Sequence, residues 1–133
     1  MSSWNKIATE EMKPFGLRGG AVIYLIALYK HQDGITSAKI CEICNRDKAE
    51  VSRTISAMEK KGLVSRKSTT VNGYNANITL TDKGKEVTKT LRDRVKLAVE
   101  RGGEGLTDKQ REEFYNALKV IGGNLKRISR EGL

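Results

Sequence analysis

Apolar positions along this chain change their spacing several times, and each change marks an element. Trp4, Ile7, Ala8 and Met12 recur at three- and four-residue intervals, the stripe of a helix over residues 2–13. Ser2 or Ser3 stands where its cap is needed, and Pro14 and Gly16 stop it. Residues 17–31 are apolar on nearly every face, the pattern of a centrally buried helix, with Gly19-Gly20-Ala21 permitting close backbone approach near its start. Asp33-Gly34 predicts a turn and Ile35 a short strand. Thr36 or Ser37 caps a short helix over residues 37–44, with Ile40 and Ile43 expected to point inward. Asp47 followed by Glu50 is a capping-box-like start to the next helix. Val51, Ile55 and Met58 follow at i, i+4 and i+7 and predict its buried stripe. Lys60-Lys61-Gly62 ends it: cations in the last turn, then a residue that tolerates positive φ.

The period then drops to two. Leu63–Val71 is rich in β-branched and polar residues, Asn72-Gly73 is a strong turn dipeptide, and Asn75–Leu80 reads as the return strand. Helical spacing resumes after Thr81, which caps a helix carrying Val87, Leu91, Val95 and Ala98 on one stripe to about Arg101. Gly102-Gly103-Glu104-Gly105 is the clearest break in the chain. Thr107 and Gln110 form a T-x-x-Q box, and Phe114, Leu118, Ile121, Leu125 and Ile128 make an apolar seam interrupted by Gly122-Gly123. The fold class is therefore mainly α with a small β-hairpin wing (α+β). Helix, turn, helix and hairpin come in the order of a winged helix-turn-helix. One domain spans 1–133, with the winged core at about 17–81 and outlying helices at about 2–13 and 82–131.

Charge sharpens this picture. The chain has 133 residues, a formal net charge of +9 and a pI near 9.7, a balance that favours a polyanionic partner. The excess is concentrated: residues 46–67 hold seven Lys/Arg against three Asp/Glu. Opposite Val51, Ile55 and Met58 the second helix presents Ala49, Ser52, Arg53, Ser56 and Lys60, a small, polar and basic face. Small residues let a helix come close to a groove, and Arg and Ser reach base edges or phosphates. Ala49, Ser52, Arg53 and Ser56 are the candidate base contacts. Thr36, Ser37, Arg46, Lys48, Lys60, Lys61, Arg66 and Lys67 are the candidate contacts to the DNA backbone, and Asn72, Gly73 and Tyr74 form the wing tip.

The run DKAEVSRTISAMEKKGLVSR, followed by LTDKG at residues 80–84, resembles the MarR family of transcription regulators. The V-S-R near the helix start, the EKKGLV exit and the LT-x-x-G return carry the likeness together. It covers residues 17 to about 100, the flanks matching by pattern only. The resemblance implies a homodimer that acts as a repressor on a palindromic double-stranded DNA operator. It also implies that the N-terminal helix packs with the C-terminal helices of a second subunit. Trp4, Ile7, Met12, Phe114, Leu118, Ile121, Leu125 and Ile128 are then the expected dimer interface. Family members often release DNA to a small-molecule effector or an oxidant. Their wings commonly carry an acid and arginines at the tip. This chain has Asn72 and Tyr74 at those positions and no charged residue from Val71 to Thr81, so a weaker wing contact is expected.

Other chemistry finds little support. No Walker loop, G-x-S-x-G, H-E-x-x-H or dinucleotide fingerprint is present, and a single histidine leaves little for acid–base work, so an enzyme is not expected. Cys41 and Cys44 make a Cys-x-x-Cys that suggests a redox or metal-responsive alternative, but no second pair accompanies it, and structural cysteines, no metal and no cofactor are the expectation. A winged-helix protein-interaction module is a further alternative, against which the polar outer face of the second helix speaks. Residues 21–29 are apolar but too few to span a bilayer, so a cytoplasmic protein with reduced thiols and no membrane partner is expected.

Overall fold

A computed structural model describes residues 2–67 and 76–133. The chain divides into two compact units, Met1–Arg94 and Val95–Leu133. The first holds α1 (Ser3–Met12), a 3₁₀ turn (Lys13–Phe15), α2 (Ala21–Tyr29), α3 (Ser37–Cys44), α4 (Lys48–Lys60), β1 (Val64–Lys67) and β2 (Asn77–Leu80). The boundary falls within α5 (Asp82–Gly102), and the second unit ends in α6 (Asp108–Glu131).

Local chemistry sets the helix ends. The Ser2 hydroxyl accepts from the Asn5 N–H at 3.3 Å to start α1, and Gly16 at φ +66 closes the 3₁₀ turn after it. α2 begins at Ala21, later than its apolar run suggests, because Arg18 to Ala21 is a turn in which the Ala21 N–H reaches the Arg18 carbonyl at 3.0 Å. A Cβ on Gly19 would lie 2.9 Å from the Thr9 backbone nitrogen, so this glycine lets the turn rest on α1. Tyr24, Leu25 and Leu28 are at most 1% exposed and form the centre of the core. Ile23 is exposed, so one face of α2 is open despite its apolar composition.

The helix-turn-helix follows. Thr36 Oγ1 accepts from the Lys39 N–H at 3.2 Å, and Asn45 at φ +51 ends α3. Asp47 Oδ1 accepts from the Glu50 N–H at 2.8 Å to open α4. Val51, Ile55 and Met58 are fully buried, as their spacing predicts. Ile40 and Cys44 are the residues α3 buries. Ile43 is exposed, contrary to the inward position expected of it, because a two-turn helix buries one narrow line and the 40/44 pair takes it.

β1 and β2 pair antiparallel with Val64 opposite Leu80 and Lys67 opposite Asn77. Ile35 adds a bridge to Ile78, with backbone hydrogen bonds of 3.1 and 2.8 Å in the two directions. Gly62 takes φ +74 on leaving α4. Thr81 closes the base of the hairpin: its N–H donates to the Leu63 carbonyl at 3.0 Å, its hydroxyl donates to the Gly62 carbonyl at 2.6 Å, and the same oxygen accepts from the Gly84 N–H at 3.0 Å. The residues α5 buries are Gly84, Thr88 and Leu91. Of the expected Val87–Leu91–Val95–Ala98 stripe only Leu91 is fully buried, because the close approach at Gly84 turns the helix a step toward that residue's line.

In the second unit Gly105 takes φ +92, and Thr107 forms a complete capping box: its hydroxyl accepts from the Gln110 N–H at 3.1 Å and its N–H donates to Gln110 Oε1 at 2.9 Å. α6 continues through Gly122 and Gly123 without a break and buries no residue.

Candidate nucleic-acid interface

α4 is held by the line that also orients it. With Val51, Ile55 and Met58 at 0% exposure, the opposite face must look outward, and there Ala49, Ser52 and Arg53 are exposed and Ser56 half-buried. Lys48 stands exposed at its start and Lys60 and Lys61 at its end, with Lys67 on β1. Thr36 and Ser37 are half-buried, and the Thr36 hydroxyl is already occupied as the α3 cap.

Two of the expected backbone contacts have partners inside the protein. Arg46 Nε lies 3.3 Å from Glu50 Oε1, and its Nη1 donates to the Asn45 carbonyl at 3.3 Å. Arg66 Nε lies 3.5 Å from Glu59 Oε2, and its Nη2 donates to Ser56 Oγ at 3.0 Å. The Ser56 hydroxyl therefore already serves to fasten β1 to α4. Glu50 Oε1 also accepts from the Tyr24 hydroxyl at 3.3 Å, and burial raises the Tyr24 pKa, keeping that hydroxyl a donor. The Arg46–Glu50 pair is legible as an i, i+4 spacing, but Arg66–Glu59 joins two elements and has no local signal.

Asn72, Gly73 and Tyr74 lie outside the described residues. Of the expected dimer-interface residues, Trp4 and Ile7 are exposed on α1, whereas Met12 is fully buried in its own unit and has no surface to offer a second chain. Its position at the end of α1, facing the core, explains the difference: the 3₁₀ turn brings that end inward. Phe114, Leu118, Ile121 and Leu125 are exposed along α6 and Ile128 is half-buried.

Cys41 is half-buried and Cys44 buried, both as free thiols. Burial pushes the Cys44 pKa up, the opposite of what a reactive thiolate needs. No group of three metal-binding side chains occurs among the described residues. A cleft of about 440 Å³ lies between the 3₁₀ turn, the end of α4 and the start of α5. Phe15 and Leu63 contribute to its apolar wall, and Lys13, Lys61 and Lys83 line it with positive charge, the Lys83 ammonium donating to the Lys61 carbonyl at 3.1 Å. These three lysines are scattered in sequence, which is why the cleft left no trace in the residue pattern.

A family model described as MarR family matches residues 15–73, a segment that contains α2, α3, α4 and β1. Over this segment the chain is similar to the MarR family. Solved MarR structures extend the likeness along the chain. A SlyA-like transcription regulator from Listeria monocytogenes is 26% identical, with a TM-score of 0.84 over 98% of this chain and 88% of that one. A second L. monocytogenes chain, described as a MarR family transcriptional regulator complexed with 26mer DNA, is 26% identical with a TM-score of 0.81 over 98% and 88%. A MarR transcriptional regulator from Methanosarcina mazei Go1, 23% identical, shares the fold with a TM-score of 0.84 over 93% and 82%. No curated protein matches the chain. The fold is that of MarR transcriptional regulators. Among the described residues no helix is long and apolar enough to cross a membrane.

Proposed function

We propose that this chain is a homodimeric transcription regulator of the MarR family that binds double-stranded DNA sequence-specifically and represses from a palindromic operator. The observation that carries the reading is α4 itself: one line wholly buried, the opposite line small, polar and basic. A helix fixed in this way can enter a major groove in one orientation, which sequence readout requires. The structure of a related regulator with 26mer DNA supports the same use of the fold here. Arg53, with Ala49 and Ser52, reads base edges. Lys48, Lys60, Lys61 and Lys67 hold phosphates. A two-fold dimer sets two copies of α4 in successive major grooves, so half-sites should lie about 34–36 Å apart. The exposed apolar residues of α6, with Trp4 and Ile7, supply surface for the dimer. The lysine-lined cleft favours a small anionic effector as an added feature of the same protein.

Selection of bound fragments from a random duplex pool tests this directly. The expected product is an inverted repeat with its half-sites one helical turn apart. Failure to enrich any sequence would overturn the proposal and return the protein-interaction reading.

A further inference from the structure

α4 contains two acids, Glu50 and Glu59, and each holds an arginine that lies just outside the helix. The two arrangements are built alike. Arg46, before the helix, meets the Glu50 carboxylate at 3.3 Å and a neutral oxygen, the Asn45 carbonyl, at 3.3 Å. Arg66, after it, meets the Glu59 carboxylate at 3.5 Å and a neutral oxygen, Ser56 Oγ, at 3.0 Å. Carboxylate and phosphate are alternative partners for the same guanidinium fork. An arginine so occupied adds no net charge to the surface it borders. The lysines of this surface, and Arg53, form no ion pair among the described residues.

We propose that Glu50 and Glu59 are specificity-determining residues: each withholds an arginine from DNA until a phosphate stands where it can displace the carboxylate. This rests on the DNA-binding reading above. On random DNA, where the fit is loose, the carboxylates keep the arginines and repel the backbone. On a matching operator, α4 seats fully and the exchange can occur. Both pairs are partly exposed to solvent, so each is weak enough to be exchanged.

The test uses the full chain with Glu50→Gln, Glu59→Gln and the double variant, titrated against random duplex and selected operator over a range of salt. Glutamine keeps an oxygen to accept from Tyr24 and removes only the charge. Each substitution should tighten binding to random duplex roughly two- to fivefold. Each should also steepen the logarithmic salt dependence by about one phosphate's worth. The gain on the operator should be smaller, so discrimination falls. Adding Arg46→Ala to Glu50→Gln should abolish that gain, because the site is then neutral again, and Arg46→Ala alone, which leaves the Glu50 carboxylate unpaired, should weaken random-duplex binding. An unchanged salt slope, or weaker binding by variants whose melting is unaltered, would overturn the inference. If the unaltered chain binds neither duplex, the proposed function fails and this inference with it. If it binds and the variants match it, only the inference fails.

Discussion

The Tyr24 hydroxyl donates to Glu50 Oε1 at 3.3 Å, joining the most central aromatic of the core to the first turn of α4. The helix that faces outward is thus tied inward by a polar contact as well as by its apolar line. Tyr24→Phe should lower stability by about 0.5–1.5 kcal/mol in urea unfolding. It should also change the response to alkali. Burial raises the pKa of Tyr24 and of Cys44, so the folded state keeps protons that the unfolded state releases. Their contribution is full below the ordinary thiol and phenol values and is lost as pH rises through the raised ones. Stability should therefore fall from about pH 9 upward, and more gently in Tyr24→Phe; urea midpoints at pH 7, 9 and 10.5 measure it.

The two thiols should react differently. Cys41 is partly accessible, whereas Cys44 is 2% exposed with its pKa raised. One equivalent of thiol should react with a disulfide reagent in the native protein, and the second only in denaturant. Rapid reaction of both would restore a thiol-switch role to the Cys-x-x-Cys.

Two glycines should answer alanine in opposite ways. A Cβ on Gly84 would collide with the Leu63 carbonyl oxygen, a backbone atom already held by Thr81. Gly84→Ala should cost roughly 1–3 kcal/mol. A Cβ on Gly122 meets open space in the interior of α6, and Gly122→Ala should raise stability by roughly 0.5–1 kcal/mol. Thermal melts of the two variants give the sign of each.

Arg53→Ala should separate reading from holding. It should cost roughly 1–3 kcal/mol on the operator and little on random DNA. Lys61→Ala should weaken both and lower the salt slope by about one. Equal losses on both duplexes for Arg53→Ala would remove it from base readout.

Removing residues 107–133 should leave a monomer or an aggregate with much weaker operator binding, because α6 carries a row of uncovered apolar side chains. Sedimentation of the whole chain at micromolar concentration should show a dimer. A well-folded monomer there would contradict the proposed assembly.

Caps and buried stripes were legible from the residues alone. Asp47, Thr36, Ser2 and Thr107 each accept from the backbone N–H three residues on, because a cap needs only a short polar side chain at a helix start. Val51, Ile55 and Met58 were equally plain, since thirteen residues show a 3.6 period clearly. Eight residues are too few to show it, and Ile43 lies exposed where an inward position is expected. Met12, expected at a dimer interface, lies in the core of its own unit, and an apolar residue looks the same in either place. Basic residues near α4 read as a uniform phosphate-binding surface. That Arg66 already grips Glu59 and Ser56 depends on β1 crossing α4, a placement that follows from tertiary packing and leaves no periodicity behind.

The Thr81 closure has a consequence for how such a chain can change. Its hydrogen bonds to Gly62, Leu63 and Gly84 gather the exit of α4, the base of the β1–β2 pair and the entry of α5 at one residue. Thr81 is in this sense a keystone. A change there would be felt at once by the groove-facing helix and by the long helix that follows, so strain set up at the start of α5 has a direct route to the aim of α4.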